Sequence, residues 1–248
     1  MSLKQETVLY ETDQRIAWIS LHRPHVKNAL NIEMHEELYA ALAEAKQDQN
    51  VKGIILQGTG DAFCAGADLK SVPVEEKESL DYGHYLRDTY NRLLLLLDEI
   101  EKPIVAYLNG TAVGAGLSIA LACDFRVAHY DAKLALSFMK IGLVPDAGAS
   151  YFLPRIVGLG KAMELALGDT ITAEEAYRIN LISKIGSPED VIAPLLSMPS
   201  TAYGLMKQNM KAGFEKGLAE VLEMEVAAQR KAGASTEHKQ ALRYFLGQ

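Results

Sequence analysis

Phe63-Cys-Ala-Gly-Ala-Asp-Leu69 and Gly110-Thr-Ala-Val-Gly-Ala-Gly116 are two loops of small residues, and each follows a short apolar run. The two runs, residues 53–57 and 104–108, predict buried strands, and the second loop leads into an apolar helix that extends to about residue 122. Small residues where a strand turns into a helix let a ligand approach the backbone and leave N–H groups exposed. The pair therefore indicates either tight packing of helices on strands or two N–H groups that bind one oxygen, an oxyanion hole.

Strands and helices alternate on both sides of these loops. Residues 6–21 predict a hairpin that turns at Asp13-Gln14, and Asn31 predicts the N-cap of a helix with helical spacing of apolar residues as far as Ala45. A long amphipathic helix is expected over residues 80–100, followed by short strands at 125–128 and 133–136. This order predicts an α/β domain with right-handed crossovers.

The chain after Pro145 predicts helices almost throughout, and from about residue 190 it predicts helices alone. We therefore expect two parts, an α/β core at residues 1–190 and a helical C-terminal subdomain at residues 191–248. Apolar residues of the second part exceed what a short pair of helices can bury, so a subunit interface is expected to cover them. They include Leu218, Val221, Leu222, Met224 and Val226.

The composition excludes several functional classes. With 32 acidic against 25 basic residues, the net charge of −7 disfavours nucleic-acid binding, and 49% hydrophobic residues exclude a disordered chain. Two cysteines and six scattered histidines form no metal-ligand motif, so no metal is expected. The N-terminus has no apolar signal segment and the longest apolar runs are far too short to span a membrane, which favours a cytoplasmic protein without membrane partners.

Asp146 lies in Val144-Pro-Asp-Ala-Gly148, and this segment allows two interpretations. Pro-Asp-x-Gly is common turn chemistry, and aspartate often caps helices. Alternatively, a carboxylate among apolar neighbours would have a raised pKa suited to acid/base catalysis. Cys64 has no identifiable partner and is expected in the core, while Ser118 lacks the context of a nucleophilic serine.

Four motifs in order resemble the enoyl-CoA hydratase/isomerase (crotonase) superfamily: Leu21-His-Arg-Pro24 with Asn28-Ala-Leu30, Phe63–Lys70, Asn109-Gly110 through Cys123-Asp124, and Gly142–Gly148. The resemblance extends over essentially the whole chain. It implies a crotonase-like spiral of ββα units with a helical trimerisation subdomain, assembled as a homotrimer or homohexamer. The substrate would be an acyl thioester of coenzyme A, and no prosthetic group is implied.

The same resemblance assigns site residues by position. The oxyanion-hole N–H groups would belong to Ala67 and Ala115, and Leu143 would lie in the substrate pocket. Ser118 and Phe138 stand where hydratases of the family carry two glutamates, and neither side chain titrates near neutrality. Contacts to coenzyme A would come from Lys27, Ala29, Ala65, Asp68, Leu69 and Lys70.

The resemblance thus favours an isomerase in which Asp146 alone moves a proton, as in relatives of phenylacetate-type pathways. One alternative is a hydratase in which Asp146 alone positions water, and another is covalent attack by Asp146 on an aryl- or acyl-CoA, as in dehalogenase-type relatives. Related decarboxylases and hydrolases are further alternatives. A different class is a non-catalytic acyl-CoA binder or assembly subunit, or an RNA-binding relative, which the acidic charge disfavours. The choice of acyl group is expected to depend on residues 72–80 and the helix after them.

Overall fold

The computed structural model of the protein describes residues 6–71 and 81–247, so residues 72–80 lie outside the described part. The strands are β1 (Val8–Asp13), β2 (Ile16–Leu21), β3 (Gly53–Gly58), β4 (Ala62–Cys64), β5 (Ile104–Leu108), β6 (Thr111–Val113), β7 (Phe125–Ala128), β8 (Lys133–Ala135), β9 (Ile171–Thr172) and β10 (Lys184–Ile185). The helices are α1 (Ile32–Gln47), α2 (Tyr82–Leu86), α3 (Arg92–Glu99), α4 (Ala115–Leu121), α5 (Ala149–Val157), α6 (Leu159–Ala166), α7 (Ala173–Arg178), α8 (Glu189–Leu196), α9 (Ser200–Ala212), α10 (Leu218–Ala234) and α11 (Thr236–Phe245). A π-helical turn, Arg87–Asn91, joins α2 to α3, and short 3₁₀ turns occupy Pro24–Val26 and Ser137–Ile141.

The strands form two sheets. The larger has the order β1-β2-β3-β5-β7-β10, with the predicted β1–β2 hairpin antiparallel and the remaining strands parallel. The smaller has the order β4-β6-β8-β9. The pairs β3–β4, β5–β6 and β7–β8 each place one strand in the larger sheet and one in the smaller before the chain continues into a helix or helical turn. The chain therefore winds as a spiral of ββα units, as expected.

The main hydrophobic core lies between the sheets and helices α1, α3 and α4. The opposite face of the large sheet is also covered, because Ile192 of α8 packs against Ile16, Ile55, Val105 and Val127. Strands buried on both faces have continuous apolar sequences, which is why the runs at β3 and β5 were readable as strands. The predicted cap of α1 is confirmed, since the Asn31 side chain accepts a hydrogen bond from the Met34 N–H.

Four short strands were not predicted. β4 and β6 lie inside the two small-residue loops, and the two-residue strands β9 and β10 lie in the region expected to be helical. Strands of two or three residues are too short to show an alternating pattern. The expectation of an almost wholly helical chain after Pro145 was therefore wrong at these two places.

Helix α9 is attached to the α/β core by a buried ion pair. The Lys207 ammonium lies 2.8 Å from Asp124 Oδ2, which also accepts a hydrogen bond from the Ile104 N–H at the start of β5. In contrast, α10 and α11 contain no buried residue. Several large apolar side chains of α9–α11 and of the turn after α9 are exposed: Met206, Met210, Phe214, Leu218, Leu222, Val226, Leu242 and Phe245. None of the helices in the described ranges is both long and apolar enough to cross a membrane.

Candidate active site

Two asparagines hold the start of the first loop. The Asn28 side chain is fully buried and donates to the carbonyls of Thr59 and Ala62, while its own oxygen accepts from the Arg23 N–H. The Asn109 side chain donates to the same Ala62 carbonyl and accepts from the Gly58 N–H. One carbonyl at the start of β4 therefore connects three chain segments, which fixes where the loop after β4 begins.

The first loop is then paired with the segment before α1. The Leu30 N–H donates to the Gly66 carbonyl at 2.8 Å, and the Asp68 N–H donates to the Leu30 carbonyl at 2.9 Å. The N–H of Ala67, between these two bonds, donates to no atom of the described residues. The pairing therefore holds the Ala67 N–H group in a fixed direction and leaves it free to donate a hydrogen bond.

Ala115 supplies the second N–H group. It is the first residue of α4, where backbone N–H groups have no partner within the helix, and no acceptor for it occurs in the described part of the chain. Gly116 packs α4 tightly on β4, since an added Cβ would lie 2.6 Å from the Cys64 Cβ. An added Cβ on Gly66 would lie 2.9 Å from the Val113 carbonyl and 3.6 Å from the Ala115 nitrogen. The two loops therefore meet and pack tightly, and the N–H groups of Ala67 and Ala115 both remain without an acceptor among the described residues.

A cavity of about 190 Å³ opens beside these N–H groups. Its wall is mainly apolar and combines the two loops with α2, the π-helical turn and the 137–146 segment. The lining residues are Ala65, Gly66, Ala67, Asp68, Leu69, Tyr82, Tyr85, Leu86, Tyr90, Val113, Gly114, Ala115, Ser137, Phe138, Ile141, Leu143 and Asp146. Parts that are distant in sequence thus form one wall around the two free N–H groups.

Asp146 lies in this wall and does not cap α5. The N-cap of α5 is Gly148, so no side chain caps this helix. Ala147 and Gly148 have positive φ values, 46° and 79° respectively. This sharp turn leaves Asp146 Oδ1 buried, with no hydrogen-bond partner among the described residues. Burial raises the pKa of the Asp146 carboxyl from 3.8 to about 6. A carboxylate of this kind is suited to exchanging a proton near neutrality.

We expect Asp146→Asn to raise the melting temperature at about pH 8 and to leave it nearly unchanged at about pH 3. The pKa is raised on folding, so ionisation above about pH 6 costs the folded state more than the unfolded state. The amide removes that cost, whereas below both pKa values the carboxyl is neutral in either state. Thermal unfolding at both pH values checks this.

Asp68→Asn is the matched control for that measurement. The Asp68 carboxylate pairs with the Arg23 guanidinium at 2.9 Å, so its removal should lower the melting temperature at neutral pH. A lower melting temperature for Asp146→Asn at about pH 8 would contradict the unpartnered state of Asp146.

Not all of the predicted site residues line the cavity. Eight line the cavity: Ala65, Ala67, Asp68, Leu69, Ala115, Phe138, Leu143 and Asp146. Lys27, Ala29 and Lys70 lie outside the wall but on the paired segments, where the Lys27 carbonyl accepts from the Ala65 N–H and the Arg23 side chain donates to the Ala29 carbonyl. Both lysine side chains are exposed.

Ser118 was expected in the pocket, and it is not among the residues that line the described cavity. It is fully buried within α4, and its hydroxyl donates to the Gly114 carbonyl at 3.2 Å.

Sequence reasoning missed three tyrosines and an arginine. Tyr82, Tyr85 and Tyr90 line the cavity, and Arg23 holds Asp68. The only signal was the aromatic spacing of residues 82, 85 and 90 in the predicted amphipathic helix, which does not show what that face contacts. Cys64, by contrast, is buried as expected, and burial raises the pKa of its thiol to about 12.

The fold and the site define an α/β protein of ββα units with two convergent N–H groups and one buried carboxylate beside an apolar cavity. A family profile described as Enoyl-CoA hydratase/isomerase matches residues 11–248. The chain belongs to this family and has the crotonase fold, as the resemblance implied. Members act on thioesters of coenzyme A.

Similar proteins carry different activity names. A Rhodobacter capsulatus protein named "probable enoyl-CoA hydratase" is 37% identical over 98% of this chain and 96% of its own length. The 1,2-epoxyphenylacetyl-CoA isomerase of Escherichia coli is 32% identical over 97% of this chain and 95% of its own. A crystal structure of an enoyl-CoA hydratase from Bacillus anthracis has a TM-score of 0.88 at 28% identity, covering 97% of this chain and 96% of that one.

Proposed function

We propose that the protein is an enoyl-CoA isomerase that moves a double bond along the acyl group, with Asp146 as its single acid/base. The observation that carries the proposal is the buried, unpartnered Asp146 Oδ1 in the wall of the cavity. The other carboxylate of the described wall, Asp68, is already paired with the Arg23 guanidinium at 2.9 Å.

The proposed reaction transfers one proton twice. The Asp146 carboxylate removes a proton from the carbon between the thioester and the double bond of a 3-enoyl-CoA. The electron pair of that C–H bond delocalises through the thioester, and its oxygen becomes an enolate that accepts hydrogen bonds from the N–H groups of Ala67 and Ala115. The protonated Asp146 then returns the proton to the far end of the former double bond, which yields the 2-enoyl-CoA.

Hydration demands more than the described wall supplies. Adding water requires one group to activate the water and another to deliver a proton to carbon. The Ser118 hydroxyl donates to the Gly114 carbonyl, and Ser118 is not among the residues that line the cavity. Phe138 contributes an apolar ring to the cavity wall. These contacts support proton transfer by one carboxylate in a site with little water.

We assign the coenzyme A moiety to the edge formed by the paired segments. Lys27 and Lys70 are exposed there, next to cavity residues Ala65 and Leu69. Their positive charges would attract the phosphates of coenzyme A, which the net negative charge of the protein would otherwise repel.

We also propose a cytoplasmic homotrimer or homohexamer in which residues 191–248 form the interface, because the C-terminal helices leave large apolar side chains exposed.

The test is incubation of the wild-type protein with 3-enoyl-CoA and 2-enoyl-CoA in heavy water. We expect the double bond to move, with deuterium entering the acyl chain only where the proton on Asp146 exchanges with solvent before it is returned. Accumulation of 3-hydroxyacyl-CoA would contradict the proposal in favour of hydration, and release of halide from a halogenated aryl-CoA would favour covalent attack. Binding without turnover of any enoyl-CoA would leave a non-catalytic binder.

A further inference from the structure

Tyr90 carries a buried hydroxyl that has no assigned role. The residue belongs to the π-helical turn Arg87–Asn91, is 1% exposed and lines the cavity. Its hydroxyl has no hydrogen-bond partner in the described ranges. π-Helical turns within α-helices occur frequently at functional sites, and this one places Tyr90 beside the loops that form the oxyanion hole.

The surroundings of Tyr90 keep the hydroxyl available as a donor. The His35 ring packs against the Tyr90 ring edge to face, with centroids 4.3 Å apart, and neither His35 nitrogen has a partner in the described structure. Burial, followed by the nearby Tyr85, Cys64 and Asp146 groups, raises the pKa of Tyr90 well above 10. The hydroxyl therefore stays protonated at all pH values at which the enzyme would operate.

An unpaired buried hydroxyl is costly. Leaving such a group without a hydrogen bond costs about 1–3 kcal/mol, and the large majority of buried polar side-chain atoms in proteins are paired. A phenylalanine at this position would fill the same space without that cost. The hydroxyl at the cavity wall is therefore best explained by a partner that arrives with the ligand.

The ligand offers few atoms for this partner. The thioester oxygen is assigned to the N–H groups of Ala67 and Ala115, and the migrating proton is assigned to Asp146. We propose that the Tyr90 hydroxyl donates a hydrogen bond to an oxygen carried by the acyl group itself, so that the preferred substrates are acyl-CoA thioesters with a second oxygen beyond the thioester carbonyl. This inference rests on the proposed binding of acyl thioesters in the cavity.

The test measures binding and needs no turnover. Hexanoyl-CoA is compared with three saturated ether analogues in which oxygen replaces the methylene at acyl position 3, 4 or 5. Dissociation constants are measured by calorimetry for the wild type, Tyr90→Phe and Tyr10→Phe. The Tyr10 hydroxyl is also buried without a partner in the described structure but belongs to β1, outside the cavity, so this control makes the same chemical change elsewhere.

We expect one ether to lose affinity relative to hexanoyl-CoA by about fivefold to tenfold in Tyr90→Phe, which is the effect of one hydrogen bond. Tyr10→Phe should keep the wild-type ratio for every ether. Tyr90→Phe should also melt no lower than the wild type, because the hydroxyl it removes has no partner in the free protein.

Two results would overturn the inference. One is an unchanged ratio for all three ethers in Tyr90→Phe, and the other is a clear loss of thermal stability, which would show a structural partner for the hydroxyl. The proposed isomerase reaction is judged separately. If the ethers respond to Tyr90 but no enoyl-CoA is isomerised, the reaction fails and the substrate class stands; if hexanoyl-CoA itself does not bind, both fail.

Discussion

Asp146→Asn is expected to lower the rate of double-bond migration by about 10²- to 10⁴-fold, the usual contribution of a positioned general acid/base. The amide has nearly the same shape as the carboxyl but cannot accept the proton. Because the substitution leaves the oxyanion hole untouched, the affinity for a saturated acyl-CoA should not change. Initial rates with 3-enoyl-CoA and calorimetry with hexanoyl-CoA measure the two quantities separately.

The pH dependence gives the same prediction a second readout. Only ionised Asp146 can act as the base, and its pKa is raised to about 6. The wild-type kcat/KM should therefore rise with pH up to about 6 and level off above it, and the residual rate of Asp146→Asn should lack this rise. Asp169→Asn, an exposed aspartate outside the cavity wall, is the control and should behave as wild type. Migration that persists in Asp146→Asn would contradict the role of Asp146.

The second large effect is expected from Gly66→Ala. The new methyl group would lie 2.9 Å from the Val113 carbonyl and close to the Ala115 nitrogen, at a glycine with a φ of +93°. It would either force the two loops apart or occupy the place of the enolate oxygen. We expect kcat to fall by about 10²- to 10³-fold, as when one oxyanion-hole donor is lost.

Backbone strain alone could also reduce activity, and Gly158→Ala separates the two causes. Gly158 also has a positive φ, +79°, but an added Cβ there meets no atom within 4 Å, and the residue lies outside the cavity wall. It should lose stability to a similar degree and keep its rate. Equal loss of activity in both variants, at equal loss of melting temperature, would argue against a specific effect at the oxyanion hole.

The fold was largely predictable because its main elements carry long or distinctive patterns. The hairpin, the capped α1 and the strands β3 and β5 depend on local spacing of apolar residues. The positions of Ala67, Ala115 and Asp146 were predicted from the four sequence motifs. The structure explains two further residues of those motifs, because the side chains of Asn28 and Asn109 both donate to the Ala62 carbonyl.

Other parts of the site depend on long-range packing. β4 and β6 are strands only because they pair with each other and with β8. Tyr90 belongs to the predicted amphipathic helix, and the sequence does not show which part of the protein the apolar face of that helix contacts, so its place at the cavity is set by the tertiary fold. Ser118 lies one helical turn from Gly114, and the tertiary packing of α4 is what buries its side chain completely.

The Ala62 carbonyl shared by Asn28 and Asn109 has an evolutionary consequence. In the proposed reaction, the groups that hold the thioester oxygen are backbone N–H groups fixed by contacts among residues 28–30, 58–67 and 109–116, whereas the carboxylate that moves the proton comes from the separate turn at 144–148. Substitutions in that turn can change the chemistry without disturbing the part that activates the thioester. This separation of parts agrees with the different activity names, hydratase and isomerase, carried by relatives that align along almost the whole chain.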